Sequence, residues 1–340
     1  MLKWIGLFVY LLAWPALARP ELSWTELLRR QATTQKLETT ASYLQSATAS
    51  ARIFREQGGV VDLPANLPTV ILPDLHAQRD YLLEALLMPA QGSTVLTLLK
   101  QGKINVLCLG DGMHAEQRAE ARWLEAERDR IQGLPSRAME AEMVESLGLL
   151  KMVMDLKVAF PKNFYFVRGN HEDMDPLTPY RKFTQVGEST LVKLWVTDRM
   201  GSSFLQQWHA CEQAMPLLAR GGSFVASHAP PEQTLSLDEV KQRSPRAFRA
   251  CAWSDNTRWT PSGPQEKAFL ENCRRFQVSS TRPWLVGHRK VIDALYRSQC
   301  QGRLIQINPL DSQARVVALA PPQGQPFKPE RDIVRLGRLP

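Results

Sequence analysis

Four of the six histidines in this chain stand where a short apolar run stops, and each has a polar or charged neighbour close by. Val70-Ile71-Leu72 leads into Asp74-Leu75-His76, and Ile104 to Leu109 into Gly110-Asp111. Phe164 to Val167 leads into Gly169-Asn170-His171-Glu172, Phe224-Val225 into Ser227-His228, and Trp284-Leu285-Val286 into Gly287-His288. These ends offer carboxylate, imidazole and carboxamide donors and no thiolate, a set that suits Mn, Fe or Zn. Asp74 and His76, two apart on extended chain, face the same way and can share one ion. Asp111 has two oxygens and can bridge two ions. Two cations ~3.5–4 Å apart can clamp an oxyanion and polarise a bridging water, which is what attack of hydroxide on phosphorus requires. A leaving alkoxide then needs a proton. His171, next to Asn170, is the candidate acid, with an imidazole suited to neutral pH.

The elements must bring these ends together. Short Val/Ile/Leu/Phe runs bounded by Pro, Gly or Asn read as buried strands. Strands of one sheet stop at a common edge, so their ends share a crevice. Between them the pattern turns helical. Residues 19 to about 58 read as helix packed outside the core, with a capping box at Ser23 and Glu26. Arg79 to Leu87 has an apolar face, and residues 115–158 make one or two long helices broken near Gly133-Leu134-Pro135. Met139, Met143, Leu147 and Leu150 recur at helical spacing, the mark of a packed stripe. Leu304 to Ile307 and Arg315 to Leu319 read as two strands joined by a tight turn at Asn308-Pro309-Leu310-Asp311-Ser312. From Pro321 the chain is Pro-rich and reads as an extended surface tail. Strand–helix alternation followed by a strand-richer half predicts an α/β layered domain, two facing sheets with helices outside.

At 340 residues, 44% hydrophobic and 22% charged, the chain can bury a full core and is not a disordered or fibrous sequence. The net charge of +8 comes from dispersed Lys and Arg rather than a basic stripe, so no nucleic-acid partner is expected. Met1-Leu2-Lys3, the apolar Trp4 to Trp14, and Pro15-Ala16-Leu17-Ala18 have the three parts of a secretory signal. The apolar part falls short of the ~20 residues of a spanning helix. Residues 1–18 are therefore expected to be removed, leaving an exported protein, periplasmic or secreted, without stable membrane insertion. In such a compartment Cys211, Cys251, Cys273 and Cys300 could form two disulfides in any of three pairings, or remain reduced and buried; Cys108 reads as a buried free thiol. The oligomeric state is not legible.

Taken together, the motifs resemble the calcineurin-like metallophosphoesterase superfamily, its phosphoprotein phosphatase branch in particular. Asp74-Leu75-His76-Ala77-Gln78 is similar to the first motif of that branch, Gly110-Asp111 to the second and Gly169-Asn170-His171-Glu172 to the third. Ser227-His228 and Gly287-His288 match the two late histidines, and Ala252-Trp253-Ser254-Asp255 a Trp-Ser-Asp stretch between them. The resemblance implies a four-layer α/β/β/α sandwich of two mixed sheets flanked by helices over residues 66–320, preceded by the helical segment 19–65 and followed by the tail 321–340. It implies Asp74, His76 and Asp111 on a first metal, Asp111, Asn170, His228 and His288 on a second, divalent or trivalent, and His171 as acid.

The second motif departs from that pattern. His114 stands where the branch has an Asp that orients the acid, and Ala115 where it has a phosphate-binding Arg. Pro73 and Ala77 replace two glycines of the first motif. Glu116 or His114 is then expected to orient His171, and Arg118, Arg168 or Arg258 to bind phosphate. The expected activity is hydrolysis of phosphomonoesters, small molecules or phosphoserine and phosphothreonine in proteins. The alternatives are hydrolysis of nucleotide or diadenosine polyphosphates, and a catalytically weak homologue that binds metal and phosphate.

Overall fold

The computed structural model describes residues 23–175, 187–310 and 314–337. Among the described residues two main sheets face each other. The five-stranded sheet has the order β13-β12-β2-β5-β6. Its strands are β2 (Thr69–Leu72), β5 (Asn105–Cys108), β6 (Phe164–Phe166), β12 (Val316–Ala320) and β13 (Ile333–Arg335). The six-stranded sheet has the order β1-β7-β8-β9-β11-β10. It is built from β1 (Val60–Asp62), β7 (Leu218–Arg220), β8 (Val225–Ser227), β9 (Trp284–Val286), β10 (Arg297–Gln299) and β11 (Leu304–Gln306). A small hairpin, β3 (Pro89–Ala90) with β4 (Ser93–Thr94), lies apart.

Alternation along each strand assigns residues to layers. Ile71, Leu107, Tyr165 and Val167 point between the sheets, where they meet Ala226, Leu285 and Ile305. The intervening residues Val70, Leu72, Val106, Cys108, Phe164 and Phe166 point outward into helices. On the other sheet Val225, Trp284, Val286 and Leu304 do the same. Strands buried on both faces explain why the sequence shows continuous apolar runs instead of alternation. The four-layer expectation holds.

One helical layer contains α1 (Trp24–Thr33), α2 (Thr40–Gln57), α3 (Arg79–Leu87), α4 (Val95–Lys100), α5 (Glu120–Gln132), α6 (Arg137–Ala159), α7 (Glu188–Met200) and α8 (Ser202–Ala214). The other contains α9 (Leu237–Lys241), α10 (Pro245–Trp253) and α11 (Pro264–Arg275). A final turn, α12 (Pro329–Asp332), precedes β13. Ser23 and Glu26 form the expected capping box on α1. Gly133, at φ +67, ends α5 and separates it from α6, so the long insert is two helices. Met139, Met143, Leu147 and Leu150 are buried in the helical layer as their spacing predicts.

Several expectations need correction. The N-terminal segment is not only helical, because Val60–Asp62 pairs in parallel with β7 and adds a strand to the core sheet. The two late strands are not a hairpin: β11 pairs with β9, whereas β12 crosses to the opposite sheet and pairs with β2. Part of the turn expected between them, Asp311 and Ser312, lies outside the described residues. The C-terminal tail is not merely laid on the surface. Its β13 pairs antiparallel with β12, Val317 opposite Val334. Of the two alternatives for the cysteines the reduced one holds, since all five are free. Cys211 sits in the helical layer on one side of the sandwich, Cys251 and Cys273 in the layer on the other. The expected secretory signal lies outside the described residues. Among those described, no helix is long and apolar enough to cross a membrane.

Candidate metal centre

All five strand ends converge, but not along one sheet. Asp74, Asp111 and Asn170 follow β2, β5 and β6, which run parallel and end level, with Leu72 opposite Cys108 and Cys108 opposite Phe166. His228 and His288 follow β8 and β9 of the other sheet, also parallel, with Ser227 opposite Val286. The crevice is therefore shared between two sheets, not the edge of a single one. It opens into a cleft of about 500 Å³.

Asp111 sits at the middle. Its Oδ1 accepts a hydrogen bond from the His171 N–H at 2.9 Å. Its Oδ2 lies 3.3 Å from His228 Nε2 and 3.9 Å from both His76 Nε2 and His171 Nε2. Backbone carbonyls set the two flanking imidazoles. His228 Nδ1 donates to Leu109 O at 2.9 Å, and His76 Nδ1 to His114 O at 3.1 Å. With a proton committed at Nδ1, each ring turns its Nε2 towards Asp111 Oδ2, the usual support for a metal-binding histidine.

The donors fit a cation. Asn170 Oδ1 is 2.8 Å from His228 Nε2. It faces further acceptors, His288 Nδ1 and Asp111 Oδ2, at 3.2 and 3.3 Å. Turning the amide over would place its NH2 among these lone pairs and satisfy Asn170 as a hydrogen-bond donor. That rotation leaves Asp74 Oδ1 and His288 Nε2 buried without hydrogen bonds. A cation accounts for more of the cluster, since Asp74, Asp111, His228 and His288 each offer a donor within 4.8 Å of the others.

The charges agree. Burial pulls His228 down, but Asp111 and Asp74 outweigh it and lift the ring to about 10. Burial likewise opposes His76, yet Glu116 and Asp74 raise it to about 9. Burial works upward on Asp74, and His228 and His76 more than offset it, bringing the carboxyl to about 2. The carboxylates thus demand positive charge in the crevice, which protons supply when metal does not.

Glu172 ties the loops of the second and third motifs together. Its carboxylate accepts from the N–H groups of Asp111, Gly112 and Gly169 at 2.8, 2.7 and 2.8 Å. Burial and then Asp111 push it up to about 7. The same loops touch at glycines. Gly110 has φ +102, and a Cβ there would lie 2.6 Å from Gly169 N; a Cβ on Gly169 would lie 2.2 Å from Asp111 Oδ1. Gly169→Ala is therefore expected to destabilise the fold by about 2–3 kcal/mol or to displace Asp111. Denaturant unfolding and metal content of that variant are the checks; wild-type values for both would contradict the packing described.

His171 is oriented as expected, but by His114. The two Nδ1 atoms are 2.7 Å apart and share one proton. Glu116 does not serve this role. Its carboxylate lies on the other side of the ring, 3.6 Å from His171 Nε2. The surroundings of His171 work against a neutral-range pKa. Burial, and then the neighbouring imidazoles His114, His76, His228 and His288, push it well below the ordinary value. The loop carrying His114 is anchored by the insert helix α6. His114 N–H donates to Ser146 Oγ at 3.0 Å, and Glu142 Oε1 accepts from Ala115 N–H and Ser146 Oγ at 3.0 and 2.9 Å.

None of the three expected phosphate-binding arginines lines the cleft. Arg168 is buried, donates to Glu172 O at 2.9 Å and lies 3.8 Å over the Phe248 ring. Arg118 pairs with Glu145 at 2.7 Å. Arg258 has a side chain 85% exposed beside Asp255. Among the described residues the cations at the cleft are Arg289 and Lys290, directly after His288. Arg289 pairs with Asp255 at 3.3 Å. Lys290 Nζ donates to Asn308 Oδ1 at 3.1 Å, and Asn308 Nδ2 donates to Asp74 Oδ2 at 2.8 Å. Sequence reasoning missed Asn308. It follows the apolar run of β11 and is a sixth strand end of the same kind. His209, outside the cleft, lies 3.4 Å from Glu212. Ala77, in place of a glycine, takes φ +59, a left-handed conformation that costs a side chain roughly 1–2 kcal/mol.

Comparison with known proteins agrees with this geometry. A family model described as Calcineurin-like phosphoesterase matches residues 67–260, more than half of the chain. None of the curated proteins matches the sequence. Among solved structures, a protein serine/threonine phosphatase from Saccharomyces cerevisiae with similarity to human phosphatase PP5 is 16% identical. The match covers 90% of this chain and 92% of that one, with TM-score 0.56. A cold-active protein tyrosine phosphatase is 14% identical over 79% of this chain and 77% of its own, with TM-score 0.48. A metallophosphoesterase from Sphaerobacter thermophilus is 17% identical over 80% of this chain and 88% of its own, with TM-score 0.36. The first of these shows a shared fold; the other two are too distant to bear on it.

Proposed function

The chain belongs to the calcineurin-like phosphoesterase family, and from that premise we propose that it is a dimetal phosphatase acting on phosphomonoesters, phosphoserine and phosphothreonine in proteins among them. One observation carries the reading: Asp111 Oδ2 lies between His228 Nε2 and His76 Nε2, a single oxygen common to two sets of donors. Asp74, His76 and Asp111 would hold one ion, and Asp111, Asn170, His228 and His288 the other, with Mn, Fe or Zn suited to these donors. Such a pair neutralises phosphate charge and lowers the pKa of bound water. The remaining work belongs to the chain. His171 is the proton donor to the leaving group, and His114 positions it. When His114 donates the shared proton, His171 carries its own on Nε2, towards the cleft. Lys290 and Arg289 take the place of the missing arginine and hold the phosphate. The signal-like N-terminus supports export.

Ala115, standing where the branch has its phosphate-binding Arg, favours a second reading, a homologue that binds metal and phosphate with little turnover. A substrate panel on the metal-loaded protein beginning at Arg19 separates the two. Phosphate release from an aryl phosphate and from phosphoserine or phosphothreonine peptides is expected. In the same assay Lys290→Ala should raise KM roughly tenfold, the worth of one charged hydrogen bond, with kcat little changed. Turnover confined to dinucleotide polyphosphates would move the substrate class. Metal uptake without turnover of any compound would establish the second reading.

A further inference from the structure

Resting on the dimetal reading, we infer that Glu116 is a protein ligand to the first cation, beside Asp74, His76 and Asp111. His76 spends its Nδ1 proton on His114 O, so its Nε2 lone pair is the end that faces the cleft. Three carboxylate oxygens surround that nitrogen: Glu116 Oε2 at 3.3 Å, Asp74 Oδ2 at 3.7 Å and Asp111 Oδ2 at 3.9 Å. Donors each ~2.0–2.2 Å from one cation stand roughly 2.8–3.6 Å from one another, whether octahedral or tetrahedral. Measured from His76 Nε2, Glu116 comes closer to that spacing than Asp74 or Asp111 does.

A second observation supports it. His76, Glu116 and His171 each offer a donor atom within 4.8 Å of the others. The backbone is bent to allow this. His114 and Glu116 take φ +64 and +44, a region non-glycine residues rarely enter, and the turn brings the Glu116 carboxylate back to the cleft. Gln117 and Arg118, which follow, are exposed.

The consequence is an asymmetric centre. The first site then has three carboxylates and one imidazole, the second one carboxylate, one carboxamide and two imidazoles. The oxygen-rich first site favours a harder cation such as Mn2+, and the nitrogen-rich second site tolerates Zn2+.

Calorimetric titration of metal-stripped full-length protein with Mn2+ tests the assignment. Wild type should show two sites. Glu116→Gln should weaken one by about 10–100-fold and leave the other unchanged, given that even outer supporting groups are worth that much. Two wild-type affinities in both Glu116→Gln and Glu116→Ala would overturn the inference and leave the dimetal reading standing. Failure of wild type itself to bind Mn2+ would sink both. A measurement without a variant guards against a folding defect: a crystal structure of Mn2+-soaked wild type should place a Glu116 oxygen about 2.0–2.3 Å from the ion. A Glu116 carboxylate turned away from a bound ion there would reject the assignment.

Discussion

Asp111→Asn is expected to abolish both metal binding and phosphoester hydrolysis while leaving the fold intact. The substitution keeps Oδ1, so the His171 N–H retains its acceptor at 2.9 Å. What changes is Oδ2. An NH2 in that place donates towards His228 Nε2, 3.3 Å away, and turns a shared anionic donor into a competitor for the same lone pairs. Removing a residue that supports a metal ligand costs about 10–100-fold in affinity, so losing the shared ligand should cost more than about 100-fold. Thermal unfolding with and without chelator gives the clearest readout. Bound metal raises wild-type stability by RT ln(1 + [L]/Kd), so chelator should lower its Tm. The variant should have one Tm in both conditions, no lower than that of chelated wild type, because a buried negative charge has been removed. Metal content and turnover at wild-type levels in Asp111→Asn would dismiss the shared-ligand arrangement.

His171→Ala should separate chemistry from metal binding. His171 Nε2 stands 3.9 Å from Asp111 Oδ2 and faces the cleft, while its Nδ1 is held by His114. Loss of a positioned general acid costs about 10²–10⁴-fold in rate. The size of the loss depends on the leaving group. A p-nitrophenolate departs without a proton, so that substrate should suffer least, whereas an alkyl phosphate such as phosphoserine should suffer most. Metal content should stay at the wild-type value. Equal losses on both substrates would remove His171 from the acid role, even if activity fell. His114→Ala should follow the same substrate pattern with a smaller loss, since it acts through His171.

The low pKa of His171 bears on this result. Where a carboxylate on Nδ1 would stabilise an imidazolium, His114 adds a second imidazole, itself held down to about 3 by burial and by His76. The usefulness of His171 as a donor then depends on which ring holds the proton between the two Nδ1 atoms. The insert helix α6 has a part in this. Ser146 and Glu142 fix the backbone at His114 and Ala115, so the helices inserted between the second and third motifs are the scaffold of the departure itself.

By itself the sequence determined the layered class, the strands and the central donors, because these are written locally. A strand buried on both faces must be apolar throughout, and its end must be marked by Gly, Pro, Asn or a charged residue. Asp74, His76, Asp111, Asn170, His228 and His288 were legible for that reason, and all six meet in one crevice. Asn308 was written in the same way, at the end of the β11 run, but was read as a turn because β11 and β12 looked like a hairpin. Which sheet each strand joins is not local. It follows from which faces pack together, and so β12 crossed to the opposite sheet and β1 and β13 went unrecognised. Tertiary structure alone decided the supporting groups. Arg118, Arg168 and Arg258 were plausible by spacing, yet a long side chain goes where a carboxylate, a carbonyl or a ring awaits it, and theirs lay elsewhere. Lys290 and Glu116 reach the cleft through loop backbones whose positive φ angles and anchoring bonds to α6 and Asn308 exist only once the layers have assembled.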